Sequence, residues 1–154
     1  MNYWKLLVAI VICQVAGLIG AFFNSFSIKS WYPNLVKPAF LPPSWLFPVV
    51  WSILFVIIGV SLYLILVSNN KTNLKKNLWI FSIQLLLNIL WSFFFFTLQS
   101  PLLGLIEIII LNFAIVINII YFYKTSKAAA YLLLPYLLWV LFATILTISI
   151  FILN

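Results

Sequence analysis

Two apolar stretches of the sequence each carry a tryptophan followed by other side chains at helical spacing. The residues that share one helix face in this way are Trp51, Phe55 and Gly59 in the first stretch, and Trp139, Ala143, Leu146 and Thr147 in the second. If the two faces meet, they form an apolar slot walled by indole rings. Such a slot suits a large, flat, hydrophobic ligand, because aromatic faces stack and the indole N–H can still donate. The alternative is that these tryptophans only anchor helices at the membrane interface.

A third apolar stretch places polar side chains on one helix face. Gln84, Asn88 and Trp91 recur at intervals of four and three residues. The amide of Asn88 offers both donors and acceptors. It either holds neighbouring helices together or orients the polar group of a ligand.

Glu107 is the only acidic residue of the chain, and it lies inside a fourth apolar stretch. A carboxyl group at membrane depth is by default a candidate functional group. Asn118 falls on nearly the same helix face, so the alternative is a structural hydrogen bond to Asn118, a lysine or a hydroxyl group.

The residue inventory excludes most conventional catalytic sites. Histidine, aspartate and arginine are absent, and Cys13 is the only cysteine. A Ser/His/Asp set, paired carboxylates, an intramolecular disulfide and a His- or Cys-based metal site are therefore impossible. A single carboxyl group also argues against a proton pump. No cofactor is required by anything in the sequence.

Residues 31–51 hold five of the seven prolines and three of the seven tryptophans. Proline fixes φ and removes an amide donor, so this segment cannot be one continuous helix. It lies between two long apolar stretches, where a short polar loop would be the ordinary connection. We interpret it as a rigid wall or lid for a binding site.

The composition places the chain in the membrane class. Of its 154 residues, 67% are apolar and 6% are charged, whereas soluble domains are about half apolar and a quarter charged. A helical span needs about 20 mostly apolar residues. The sequence predicts an all-α membrane protein, a single domain over 1–154 with five transmembrane helices. They cover about 4–26, 44–67, 74–98, 101–123 and 128–153, with a long structured loop at 27–43.

The lysines predict how the bundle is oriented. Six are expected on one side of the membrane and two, Lys29 and Lys37, on the other. The six are Lys5, Lys71, Lys75, Lys76, Lys124 and Lys127. The positive-inside rule then places the N-terminus in the cytoplasm, and the long loop and the C-terminus outside. Because the lysines follow helix ends and form no basic face, the net charge of +7 indicates contact with the lipid bilayer rather than with nucleic acid.

The first helix carries small and polar residues on one face, including Gln14, Gly17, Ala21 and Asn24. The Gly17–Ala21 spacing allows close helix packing. This face serves either a helix contact, such as a dimer interface, or the wall of a cavity.

Three motifs resemble the TspO/MBR family (translocator protein, tryptophan-rich sensory protein, peripheral-type benzodiazepine receptor). The first is Trp31-Tyr32-x-x-Leu35-x-Lys37-Pro38-x-x-x-Pro42-Pro43, followed by Val50-Trp51. The second is Leu87-Asn88 with Trp91, and the third is Pro135-Tyr136-Leu137-x-Trp139-x-x-Phe142-Ala143-Thr144. The resemblance covers essentially the whole chain, and the arginine-free composition favours a bacterial member.

The resemblance implies a five-helix bundle, usually a homodimer, whose pocket opens toward the first loop. Its ligands would be protoporphyrin IX and related tetrapyrroles, and synthetic isoquinoline carboxamides and benzodiazepines. Light-dependent porphyrin degradation is implied for some members, and transport of porphyrin or another small hydrophobic molecule is the alternative. Two departures, Thr147 in place of a frequent Asn and the lack of a Tyr-basic pair near the C-terminus, make cholesterol an unexpected ligand.

The resemblance also implies which residues form the pocket. Carried over by motif, they are Ala21, Trp31, Tyr32, Pro42, Trp51, Asn88, Trp91, Trp139 and Ala143. Helical spacing alone adds Phe55 and Leu146. Trp51 and Trp139 would face the tetrapyrrole and would be the residues involved in any photo-oxidative chemistry.

Overall fold

The chain forms a bundle of helices that run back and forth between two ends. The computed structural model describes residues 2–70 and 73–154, and these contain no β-strand. The helices are α1 (Tyr3–Ser25), α2 (Leu46–Val67), α3 (Leu74–Ser92), α4 (Pro101–Tyr123), α5 (Lys127–Leu132) and α6 (Leu134–Leu153). Within the described residues, five helical segments are long and apolar enough to cross a bilayer, with α5 and α6 together forming the fifth. The predicted five-helix membrane bundle is confirmed.

Side-chain caps explain where several helices begin. The side chains of Asn2, Ser100 and Ser126 accept hydrogen bonds from backbone N–H groups in the first turns of α1, α4 and α5. Pro101 occupies the first position of α4, where its missing N–H costs nothing. The helix α2 begins at Leu46, two residues later than the sequence predicts.

Two segments that the sequence predicts as uninterrupted helix are irregular. A π-helical turn at Phe93–Thr97 follows α3; in it the N–H of Leu98 donates to the Phe93 carbonyl oxygen at 3.0 Å. The predicted helix at 128–153 breaks at Leu133, between α5 and α6. Pro135 explains that break, because it has no N–H for a helical bond and its ring crowds the carbonyl four residues earlier.

Glycines allow the closest contacts between neighbouring helices. A Cβ atom at Gly59 of α2 would lie 2.6 Å from the Ile10 Cα atom of α1. A Cβ atom at Gly104 of α4 would lie 2.7 Å from the Phe95 ring. The helices α1 and α2 are antiparallel, as are α3 and α4, and each close approach depends on the missing side chain.

The two ends of the bundle differ in composition. At one end, Lys76 of α3 and Lys124 after α4 both lie over the ring of Tyr121, at 4.6 and 5.2 Å from its centroid. At the other end, Asn154 is hydrogen-bonded to Val36 in the long loop. We call these the lysine end and the loop end. Lys71, one of the six lysines counted for orientation, lies outside the described residues.

Candidate functional site: an aromatic cavity near the loop end

A small cavity lies between α2, α3, α4 and α6. Its volume is about 10 Å³, which is room for roughly one water molecule. The residues that line it are Trp51, Asn88, Trp91, Ile108, Leu111, Val140 and Ala143. Four of them are predicted site residues, so the structure brings together Trp51, Asn88, Trp91 and Ala143 from three helices.

Trp51 forms one wall of the cavity and rests on a second aromatic layer. Its ring stacks on Phe55 at 5.5 Å between centroids and meets Tyr136 edge-on at 6.3 Å. Phe55 is buried and fills the space beside Gly17 of α1. The missing side chain at Gly17 therefore leaves room for the Phe55 ring. Phe55 packs behind Trp51 and does not itself line the cavity.

Asn88 is held in a fixed orientation by a buried tyrosine. Its Nδ2 atom donates to the Tyr136 hydroxyl oxygen at 2.9 Å, and Tyr136 is fully buried. This bond uses one amide donor and leaves the other groups of the amide beside the cavity. Tyr136 is absent from the predicted site residues, although it stands in the third motif. The sequence does carry a signal that could identify Tyr136, because a phenol hydroxyl buried in an apolar stretch needs a hydrogen-bonding partner.

Trp91 joins the cavity to an aromatic cluster under the loop. Its ring stacks on Phe95 at 5.4 Å, while its Nε1 atom has no hydrogen-bonding partner among the described residues. The loop contributes Trp31, which meets Phe95 at 5.7 Å, and Tyr32, which packs on Phe96 at 5.4 Å. Trp31 and Tyr32 therefore do not line the cavity. They pack against Phe95 and Phe96, and Phe95 in turn stacks on Trp91. Partial burial raises the pKa of the Tyr32 hydroxyl.

Polar contacts hold the loop against the bundle. The Val36 N–H donates to the Asn154 side-chain oxygen at 2.9 Å, and the Asn154 amide donates back to the Val36 carbonyl oxygen at 3.0 Å. Lys37 donates from Nζ to the carbonyl oxygens of Pro33 and Leu35, both at 3.0 Å, and lies over the Tyr32 ring at 4.9 Å. The loop is therefore an ordered cover for this end of the bundle.

Trp139 is half-buried outside the cavity lining. It packs against Phe47 at 5.8 Å and Phe142 at 5.5 Å. Its Nε1 atom, like that of Trp91, is without a partner in the described structure. Trp139 comes one helical turn before Ala143, which does line the cavity. The two indoles that the sequence places together, Trp51 and Trp139, do not share one cavity wall here.

The structure does not bring the remaining predicted residues to the cavity. Ala21 is exposed on α1, Pro42 is half-buried in the loop, and Leu146 is buried one turn beyond Ala143. Conversely, the cavity is lined by Ile108, Leu111 and Val140, which sequence reasoning missed. They are aliphatic residues of apolar helices, so nothing in the sequence distinguishes them from lipid-facing neighbours.

The chain is similar to known membrane proteins along almost its whole length. A model of the TspO/MBR family matches residues 9–153. A tryptophan-rich protein TspO of Archaeoglobus fulgidus is 45% identical over 154 residues, which cover 100% of this chain and 99% of that protein. A protein of the same name from Chlorobaculum tepidum is 43% identical over 150 residues, 97% of this chain and 95% of the relative. The human translocator protein is 32% identical over 118 residues, 75% of this chain and 70% of the relative.

Proposed function

This chain belongs to the TspO/MBR family of membrane proteins, and we propose that it binds protoporphyrin IX and similar flat hydrophobic ligands in the aromatic cavity. The observation that carries the proposal is the convergence of Trp51, Trp91 and Asn88 on one cavity in the membrane-spanning part. Indole faces supply stacking surface. The amide of Asn88, which Tyr136 orients, supplies a polar contact of defined direction.

Binding requires the cavity to open. Its volume of about 10 Å³ is far below the roughly 300–1,000 Å³ of pockets that hold drug-sized ligands. The half-buried aromatic rings at the loop end are the parts that can move without breaking a helix. We propose that Trp51 and Trp91 separate, and that Trp139, one turn from the cavity wall, then joins the enlarged pocket. The long loop covers the ligand.

The direct test is a titration of protoporphyrin IX into the purified protein in detergent. Binding is followed by the porphyrin absorption band and by quenching of tryptophan fluorescence. We expect Trp51→Phe and Asn88→Ala to weaken binding by about 0.5–1.5 kcal/mol each, the scale of one aromatic contact or one hydrogen bond. Trp79→Phe is the matched control, because Trp79 is 72% exposed on α3. Equal affinity in all four proteins would refute the proposal.

We extend the proposal to the orientation of the bundle, with the lysine end in the cytoplasm and the loop outside. Exposed Ser30 in the loop and exposed Asn69 near the lysine end can each be replaced by cysteine. Cys13 is buried, so it contributes little background. A maleimide that does not cross membranes should label the Ser30→Cys variant in intact cells and leave the Asn69→Cys variant unlabelled. The reverse pattern would invert the orientation.

A homodimer is also part of the proposal, on the strength of the family. Of the five spans, α1 has the smallest buried share, and Ala21 is exposed on it. A small exposed residue on a lipid-facing helix allows a second copy to approach closely. Oxidative cross-linking of an Ala21→Cys variant in membranes should give a dimer. The control is Leu138→Cys on α6, where Leu138 is 67% exposed. Cross-linking of the control alone would place the interface elsewhere.

A further inference from the structure

Polar atoms without partners are concentrated where α3 faces α4. The side chains of Gln84 and Trp91 on α3, and of Glu107 and Asn118 on α4, keep buried nitrogen or oxygen atoms with no hydrogen-bonding partner among the described residues. In a bilayer, such groups are costly unless another group satisfies them.

The register of the two antiparallel helices places these side chains at two levels, with one residue of each helix at each level. Phe81 stacks on Phe122 at 6.0 Å, and one turn further inward on each helix Gln84 lies level with Asn118. Neither amide has a partner in the part of the chain that the structure describes, but two amides have both donors and acceptors, so side-chain rotation could join them without a ligand.

The second level holds Trp91 and Glu107. Phe95 fills the space at Gly104, and one turn inward from that contact Trp91 lies level with Glu107. The indole has a single N–H donor, whereas a carboxylate has two oxygens that accept several hydrogen bonds. The two groups form no hydrogen bond with each other in the structure, and a single indole donor would in any case leave acceptor capacity on the carboxyl group.

Glu107 is next to cavity-lining residues of α4, although it is not itself part of the lining. Ile108 and Leu111, the next residue and the next turn of α4, both line the cavity, and so does Trp91. Glu107 itself is only 4% exposed. The described lysines lie in the loops and at helix ends, so the positive charge that would stabilise the ionised form of this carboxyl group has to come from a bound molecule.

We infer that Trp91 and Glu107 form a subsite for a flat organic cation at the loop-side edge of the cavity. Indole faces attract cations, and two indoles, those of Trp51 and Trp91, border the same space. A carboxylate adds a charge-assisted hydrogen bond that a neutral ligand cannot form. The inference rests on the proposed function for the location of the site, but not for the identity of its ligand.

The test compares two tricyclic probes of similar shape, the cation of 9-aminoacridine and neutral anthracene. Each is titrated into the purified protein in detergent and into protein-free micelles, so that partition into the micelle is subtracted. We expect the wild type to bind the cation at least about tenfold more tightly, which corresponds to about 1.4 kcal/mol. Glu107→Gln keeps the shape of the side chain and removes the charge, so it should abolish most of that preference.

Matched variants make the result interpretable. Asn118→Leu removes another buried polar group of α4 away from the cavity and should keep the cation preference. Glu107→Leu replaces Glu107→Gln if the amide variant does not give a folded protein by circular dichroism. A wild type without cation preference, or a preference that survives in the Glu107 variant, would overturn the inference. Protoporphyrin titration of the same wild-type sample separates the two proposals, because its failure would refute the proposed function alone.

Discussion

The lysine end and the loop end of the bundle differ in their mixture of hydrogen bonds and ring contacts. Near the lysine end, the Ser61 hydroxyl donates to the Ala129 carbonyl oxygen at 2.7 Å, and Asn77 donates to the Thr125 hydroxyl oxygen at 2.9 Å. At the loop end, hydrogen bonds join the loop to Asn154, but half-buried rings such as Trp139 contact their neighbours at angles of 61° and 43° between planes. Directional bonds between backbones and short side chains fix helix positions, whereas ring contacts tolerate rotation and displacement. We therefore expect the lysine end to contribute most to stability and the loop end to admit the ligand.

The largest expected effect concerns stability at the lysine end. Phe122 is fully buried and its ring is nearly parallel to that of Phe81, with 7° between planes. Phe122→Ala leaves a cavity and should lower the free energy of unfolding by about 3–5 kcal/mol. Loss of helical circular dichroism during titration with a denaturing detergent measures it.

The control for this prediction is another phenylalanine of the same helix. Phe113 is 68% exposed on α4, so Phe113→Ala should change the free energy of unfolding far less. Equal losses in the free energy of unfolding for the two variants would show that packing at the lysine end is not what stabilises the bundle. The two ends would then not differ in their contribution to stability.

The second prediction separates two tryptophans of the loop end. Under light and oxygen, any protein-dependent loss of the porphyrin band should depend on the indole that the bound porphyrin contacts first. Trp51 lines the cavity and Trp139 does not, so Trp51→Phe should remove most of any protein-dependent loss of the porphyrin band. Trp139→Phe should remove less. The measurement is the decay of the absorption band at equal amounts of bound porphyrin. A larger effect at Trp139 would mean that the pocket opens on the α6 side.

Sequence patterns predict the features that depend on a single helix face, but not those that depend on how several helices pack together. Five apolar stretches with lysines at their ends are enough to predict the bundle. They do not predict the π-helical turn at Phe93–Thr97, because four consecutive phenylalanines fit any helical register. The faces of Trp51 and Trp139 each follow from spacing, but their convergence depends on helix rotation, which close contacts such as that at Gly59 determine. The sequence identifies Asn88 as a polar group in an apolar helix, but only the packed structure shows that its hydrogen-bonding partner is Tyr136.

The third prediction tests whether the loop controls entry to the cavity. Asn154→Ala removes both hydrogen bonds to Val36, each worth about 0.5–1.5 kcal/mol and near the lower limit at an exposed site. Protoporphyrin should then associate about three- to tenfold faster, and dissociate faster as well, so that its affinity changes little. Stopped-flow fluorescence measures both rates. Ser149→Ala on the same helix is the control, because Ser149 bonds only within α6 to the Ile145 carbonyl oxygen.

An unchanged association rate in the Asn154→Ala variant would show that ligands enter between helices rather than under the loop. The ends would then differ in stability but not in access.

The smallest expected effect concerns electrostatic attraction at the loop end. Lys29 and Lys37 are the lysines of that end, and the propionate groups of protoporphyrin carry negative charge. Lys37 already donates to two loop carbonyl oxygens, whereas Lys29 is exposed. We therefore expect raised salt to slow porphyrin association by about twofold through screening, and Lys29→Gln to remove more of this salt dependence than Lys37→Gln. Stopped-flow measurements across a salt series in an uncharged detergent provide the comparison. If both variants keep the full salt dependence, the attraction comes from the lysine end. Ligand entry at the loop end would then be wrong.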